Sequence, residues 1–123
     1  MQPLNVVLLQ GDSGVTKSLV SALSNSFRSI HLVSSVVELR STIAKKRAGV
    51  AILDMEKASL SDVQHLSQEF PGACLVCTHR CADEEMWAAA LNAGAADVFP
   101  SDDTRGILRA ALRSDEVSRS AAA

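Results

Sequence analysis

Apolar residues in this chain collect into five short runs: Val6-Val7-Leu8-Leu9, Ile30-His31-Leu32-Val33, Val50-Ala51-Ile52-Leu53, Cys74-Leu75-Val76-Cys77 and Ala96-Asp97-Val98-Phe99. Each has the length of a strand. Nearly continuous apolar character marks strands covered on both faces, as in a parallel sheet between helices. The fifth run is interrupted by Asp97 and is expected at a sheet edge.

Between these runs the apolar spacing becomes helical. Val15, Leu19, Leu23 and Phe27 recur at every fourth position after Ser13, which predicts a helix from Gly14 to Phe27. Ser34 or Ser35 can cap a second helix with Val36, Leu39 and Ile43 as its stripe and Lys45, Lys46 and Arg47 in its last turn. Leu60, Val63, Leu66 and Phe70 outline a third, stopped by Pro71-Gly72. Asp83-Glu84-Glu85 opens a fourth, with Trp87, Ala90 and Leu91 as the inward stripe and Gly94 as its end. Ser101, Asp102 and Asp103 start a fifth, with Ile107, Leu108, Ala111 and Leu112 facing inward and Gly106 as a weak point inside it. This alternation predicts an α/β fold: a doubly wound, five-stranded parallel sheet with helices on both faces, in one domain over residues 1–113. The polar stretch 114–123 reads as a tail, a helix extension or the start of a linker.

Composition agrees and removes several function classes. A length of 123 residues suits one domain, and 47 % apolar with 21 % charged residues is ordinary globular usage. Such a chain can bury a core without disulfides or metals. A net charge of −2 provides no basic field for nucleic acid or an anionic membrane. With 3 % aromatics and no tyrosine, platforms for stacking single-stranded bases are not expected. No apolar run approaches the roughly 18–20 residues that span a bilayer. The start Met1-Gln2-Pro3-Leu4-Asn5 lacks the basic flank of an export signal, so a cytoplasmic location is expected.

Cys74, Cys77 and Cys81, with His79 among them, suggest zinc at first sight. Residues three apart on a strand point to opposite faces, so Cys74 and Cys77 cannot chelate together, and no second ligand pair follows. No helix N-terminus follows Cys74 directly to lower a thiol pKa. The three cysteines are therefore read as packing residues.

In open α/β sheets, sites form beyond the carboxyl ends of the strands. The residues expected there are Gln10, Gly11 and Asp12 after the first strand, Asp54, Met55 and Glu56 after the third, Thr78 and His79 after the fourth, and Pro100 and Ser101 after the fifth. Taken singly they are unremarkable. An Asp after a strand often caps the next turn, Thr suits a strand terminus, and His79 reads equally as a solvated loop residue.

Their order and spacing carry more. Val50-Ala51-Ile52-Leu53-Asp54 resembles the third strand of a response-regulator receiver domain, which ends in the phospho-accepting aspartate. Cys74-Leu75-Val76-Cys77-Thr78 is similar to the fourth strand, ending in the switch Thr or Ser. Ala90-Leu91-Asn92-Ala93-Gly94-Ala95-Ala96-Asp97-Val98 resembles the helix-Gly-Ala-strand segment of the same family. The resemblance covers nearly the whole chain. It implies a flavodoxin-like receiver fold in two-component or phosphorelay signalling, with Asp54 at the phospho-acceptor position and Thr78 at the switch position.

The chain departs from the family at the supporting positions. Gln10 and Gly11 align with the metal-binding acidic pair, Ser101 with the Lys after the fifth strand, Asp102 with the Pro that follows it, and Val98 with the aromatic switch. Ala58 and Asp62 stand for the Pro and Gly of the loop after the aspartate, and His79 replaces a small residue beside the threonine. Hard divalent cations rely on carboxylate oxygens, so the loss of both acids should weaken Mg²⁺ binding severely. Asp12 and Glu56 are the candidate substitute carboxylates.

The resemblance therefore implies a pseudo-receiver without catalytic residues. It would hold no cofactor (Mg²⁺ only if Asp54 is phosphorylated) and act through protein contacts. The corresponding partner or homodimer surface is the face of the fourth helix, fifth strand and fifth helix, with Met86, Ala89, Ala93, Arg105 and Arg109. Nucleic acid and membrane are not expected as partners of this domain, and an output domain beyond Ala123 is expected in a longer protein. The alternative is a working receiver phosphorylated on Asp54 with Mg²⁺. A further alternative is nucleotide binding, because Gly11-Asp12-Ser13-Gly14-Val15-Thr16-Lys17-Ser18 resembles a phosphate-binding loop between strand and helix. Thr16 stands against it, since the motif needs a glycine there and a β-branched residue tolerates positive φ poorly.

Overall fold

The structure, a computed structural model, describes residues 5–112. Five strands, β1 (Val6–Leu9), β2 (Ile30–Val33), β3 (Val50–Asp54), β4 (Cys74–His79) and β5 (Asp97–Pro100), pair in parallel in the order β2-β1-β3-β4-β5. Helices α1 (Ser13–Leu23), α2 (Val36–Lys46), α3 (Leu60–Glu69) and α4 (Glu84–Ala93) connect them, and a last helix, α5, is described over residues 104–112. The expected doubly wound parallel sheet is therefore present. The expected tail, residues 114–123, lies outside the described residues.

The period-two geometry of the strands divides the core in two. Val7, Leu9, Ala51, Leu53, Leu75, Cys77 and Val98 face Leu39 and Ile43 of α2, Val63 and Leu66 of α3 and Ala90 of α4. Val6, Leu8, Val50, Ile52, Cys74 and Val76 face Leu19 and Leu23 of α1, Phe27, and Ile107, Ala110 and Ala111 of α5. Fully burying a Leu or Ile contributes roughly 1.5–3 kcal/mol, so these two layers dominate the driving force for folding. Cys74 and Cys77 lie in opposite layers, as their spacing requires.

Side-chain caps set the helix starts. Asp12 accepts from the backbone N–H groups of Gly14 and Val15 at α1, Ser35 from Glu38 at α2, and Asp83 from Met86 at α4. Ser59 and Asp62 form a reciprocal capping box at α3. Each such cap contributes about 1 kcal/mol. The α4 helix ends at Gly94, whose φ of 117° is left-handed and favours glycine.

Several details differ from the sequence expectations. Helix α1 stops at Leu23, not Phe27; Ser24, Asn25 and Ser26 are weak helix formers, and Phe27 reaches the core from a turn. Strand β4 runs on through Thr78 and His79, and β5 begins at Asp97. As an edge strand, β2 is only partly buried, and its Leu32 is 57 % exposed. In the third stripe Leu60 is 42 % exposed, because it is the first residue of α3 and precedes the contact with the sheet. In α4 Met86 and Ala93, expected on the partner surface, pack partly buried against the core beside Ala90, while Trp87, expected inward, is exposed. Cys81 is exposed and does not pack, since it lies beyond the end of β4.

Candidate functional site

Strand β1 has β2 on one side and β3 on the other, so successive connections leave the sheet in opposite directions there. In open α/β sheets this switch point opens a crevice at the carboxyl edge. Asp54, the last residue of β3, lies in it and is 2 % exposed. Its Oδ2 accepts the Gly11 N–H at 2.9 Å from the loop after β1, and its Oδ1 accepts the Glu56 N–H at 2.9 Å. Both contacts are hydrogen bonds from the backbone, which carries no full positive charge. Among the described residues Asp54 forms no ion pair.

Thr78 is the register partner of Asp54 across β3 and β4 and is fully buried. Its hydroxyl lies 3.5 Å from the Leu53 carbonyl oxygen and 3.5 Å from Gln10 Nε2, both at the outer limit of hydrogen bonding. The other end of the Gln10 amide accepts the Asp12 N–H at 3.1 Å. Gln10, Gly11, Asp54 and Thr78 therefore come together as one cluster.

The remaining candidates do not join it. Ser101, just past β5, is 4 % exposed; its N–H donates to the His79 carbonyl at 3.1 Å, and its hydroxyl has no hydrogen-bond partner. Asp12 spends one carboxylate oxygen on Gly14 N–H at 2.8 Å and Val15 N–H at 3.1 Å as the cap of α1. Glu56 Oε1 takes the Arg80 guanidinium at 2.7 Å. This contact raises the Arg80 pKa, chiefly through the hydrogen bond to Glu56. His79 accepts the Cys81 N–H on Nδ1 at 2.9 Å. Val98 is buried in the layer under α2, α3 and α4.

A divalent cation at Asp54 would need several carboxylate and carbonyl oxygens in octahedral array. The two candidate substitutes are committed to a helix cap and an arginine, and no group of three His, Cys, Asp or Glu side chains among the described residues converges on one point. The donor set does not fit such an ion.

Sequence reasoning passed over Lys57. A Cβ built on Gly11 would lie 2.8 Å from Lys57 Cε and 3.2 Å from Asp54 Oδ2. The lysine stem thus lies against bare backbone beside the carboxylate. The only sequence signal was its position three residues past Asp54, next to a glycine known to be close only after folding.

The phosphate-loop resemblance does not survive. Only Gln10, Gly11 and Asp12 separate β1 from α1, and Gly14 to Ser18 are already helical. Thr16 donates its hydroxyl to the Asp12 carbonyl at 2.9 Å inside the first turn. The extended backbone that would wrap phosphates is absent.

No protein-family model matches the sequence, and no curated protein is significantly similar to it. Solved structures do share its fold. A response regulator from Thermotoga maritima matches with a TM-score of 0.83 at 15 % identity, over 94 % of this chain and 99 % of that one. A CheY-like response regulator receiver domain protein from Methanospirillum hungatei matches with a TM-score of 0.83 at 15 % identity, over 97 % and 98 %. A CheY-like protein, TadZ, from Pseudomonas aeruginosa matches with a TM-score of 0.70 at 23 % identity, over 88 % and 98 %. Sheet order, helix placement and these likenesses agree that the chain has the fold of the response-regulator receiver domains.

Proposed function

We propose that the chain is a receiver-type signalling domain whose output is a protein contact, with phosphotransfer to Asp54 weak or absent. The observation that carries this reading is the state of Asp54. It is buried at the switch point with both oxygens bonded to backbone N–H groups, and among the described residues no group of three His, Cys, Asp or Glu side chains could hold a metal. An in-line attack on a phosphoryl group develops charge that a metal and an ammonium group must offset. Ser101 provides only a hydroxyl after β5.

On this reading Asp54 holds the phospho-acceptor position and Thr78 the switch position, and both serve as structural ties between strands. The domain is not an enzyme, has no resident cofactor, and works in the cytoplasm. Among the described residues no helix is long and apolar enough to cross a membrane. The contact surface is the face of α4, β5 and α5, where Trp87, Arg105 and Arg109 are exposed. Its occupant is a protein partner or a second copy of this chain.

The test is incubation with acetyl phosphate or phosphoramidate plus Mg²⁺, read by intact mass. No adduct is expected. A stoichiometric phosphoryl adduct that disappears in Asp54→Ala overturns the reading in favour of a working receiver.

A further inference from the structure

We propose that Lys57 is the built-in counter-cation of Asp54, standing where a divalent ion would otherwise be required. This deepens the reading above and rests on it only for placing Asp54 at the centre of the site. Asp54 is buried, and its carboxylate receives two backbone hydrogen bonds but, among the described residues, no ion pair within 4.0 Å. A carboxylate withdrawn from water in this way is costly unless a positive charge approaches it.

Lys57 is built to make that approach. Its Cε and the Asp54 Oδ2 flank one point, the place where a Cβ on Gly11 would be, at 2.8 and 3.2 Å. Its Cγ is 3.7 Å from the same point, so the stem lies along Gly11. A side chain at position 11 would take the space that the lysine methylenes now occupy. Gly11 and Lys57 therefore act as a matched pair: the missing side chain makes a channel, and the lysine fills it with hydrocarbon. Lys57 is exposed, so its long stem can lie on the protein while its ammonium meets water. Glu56, the neighbouring acid, is held by Arg80 and does not compete for Lys57. An ammonium on this stem repels a divalent cation and neutralises Asp54, so the pocket needs no metal.

The test uses Mn²⁺ alone as probe, followed through paramagnetic broadening of the Gly11 and Glu56 amides, the two donors to Asp54. The wild-type chain is compared with two variants that remove the charge: Lys57→Met, which keeps the stem, and Lys57→Gln, which keeps a polar end. Both variants should lose the two amide signals at a Mn²⁺ concentration roughly tenfold or more below wild type, as expected when a like charge a few ångströms away is removed. The two amides should also shift in Lys57→Met without Mn²⁺. Equal broadening in wild type and both variants, or unshifted amides in Lys57→Met, overturns the proposal. If Lys57→Met does not fold, Lys57→Gln decides by the same broadening. This outcome is separable from the phosphotransfer assay. A metal-dependent adduct with unequal broadening sinks only the reading above, and equal broadening without an adduct sinks only the counter-cation.

Discussion

Trp87 of α4 donates its indole N–H to Oδ1 of Asp97 at the start of β5, 3.0 Å away, while the ring stays 47 % exposed. The same oxygen accepts the Val98 N–H at 2.8 Å, so the acceptor is itself fixed. A large ring whose polar atom is satisfied and whose rotamer is held loses little entropy on being covered. Such aromatics are common anchors of protein contacts. Trp87 is the chain's one tryptophan, which makes its surroundings directly observable.

Replacing Trp87 by Ala should leave the thermal midpoint within a few degrees of wild type, because the ring covers little of the core. The same change should weaken self-association or partner capture by more than about tenfold, the loss expected of an interface anchor. Sedimentation velocity of the two proteins over a concentration series checks it. Asp97→Ala, with the ring released, should red-shift the tryptophan emission without unfolding the domain. A strictly monomeric wild type at high concentration would remove the homodimer and leave the partner contact.

Asp54→Ala strips the acceptor from the Gly11 and Glu56 N–H groups in a buried position. Both bonds are part-buried, so water can partly replace the lost acceptor, and the cost falls towards the lower end of the roughly 1–3 kcal/mol of an unpaired buried donor. The variant should therefore be less stable than wild type by that order in urea unfolding at neutral pH. A gain in stability would mean that the carboxylate is under repulsion that the structure does not contain.

Burial pushes the Cys77 thiol up to about 12, with nearby Cys74 adding to the effect. The unfolded chain ionises the same thiol near the ordinary value of 9.0. Between these limits the unfolded state binds fewer protons than the folded one, so stability must fall as pH rises from about 9 towards 12, at up to about 1.4 kcal/mol per unit. Cys77→Ala should be less stable at neutral pH and show a shallower alkaline decline, measured by urea unfolding across the range. Iodoacetamide at mildly alkaline pH should modify exposed Cys81 first and reach Cys77 only on unfolding.

Gly106→Ala reverses the simplest helix expectation. Glycine inside a helix ordinarily costs about 1 kcal/mol relative to alanine. Here an added Cβ would press on the Asp103 carboxylate and come within 2.8 Å of Phe99 Cδ1. Asp103 Oδ1 also accepts the Gly106 N–H at 3.1 Å at the start of α5. The substitution should destabilise by about 1–3 kcal/mol, the usual cost of overpacking, as read by thermal or urea unfolding. What the sequence marks as a weak point is a close approach between helix and strand.

The sequence by itself determined the order of elements, the two-layer core and the parallel sheet. Strand runs such as Val50 to Leu53 and stripes such as Leu39 and Ile43 report burial through their own spacing, and burial dominates folding. It also brought Asp54 and Thr78 to one sheet edge, because strand register follows from the same pattern. Tertiary structure alone decided which of two adjacent residues faced inward, Met86 or Trp87, since either choice keeps a helical period. It alone decided that Asp12 caps α1, that Glu56 holds Arg80, and that Lys57 lies over Gly11. Those outcomes depend on which polar groups lie within about 3 Å after folding, and hydrogen bonds and charges act only at that range. Apolar patterning acts on whole faces and is written along the chain; polar pairing is specific to single atoms and is settled only in three dimensions.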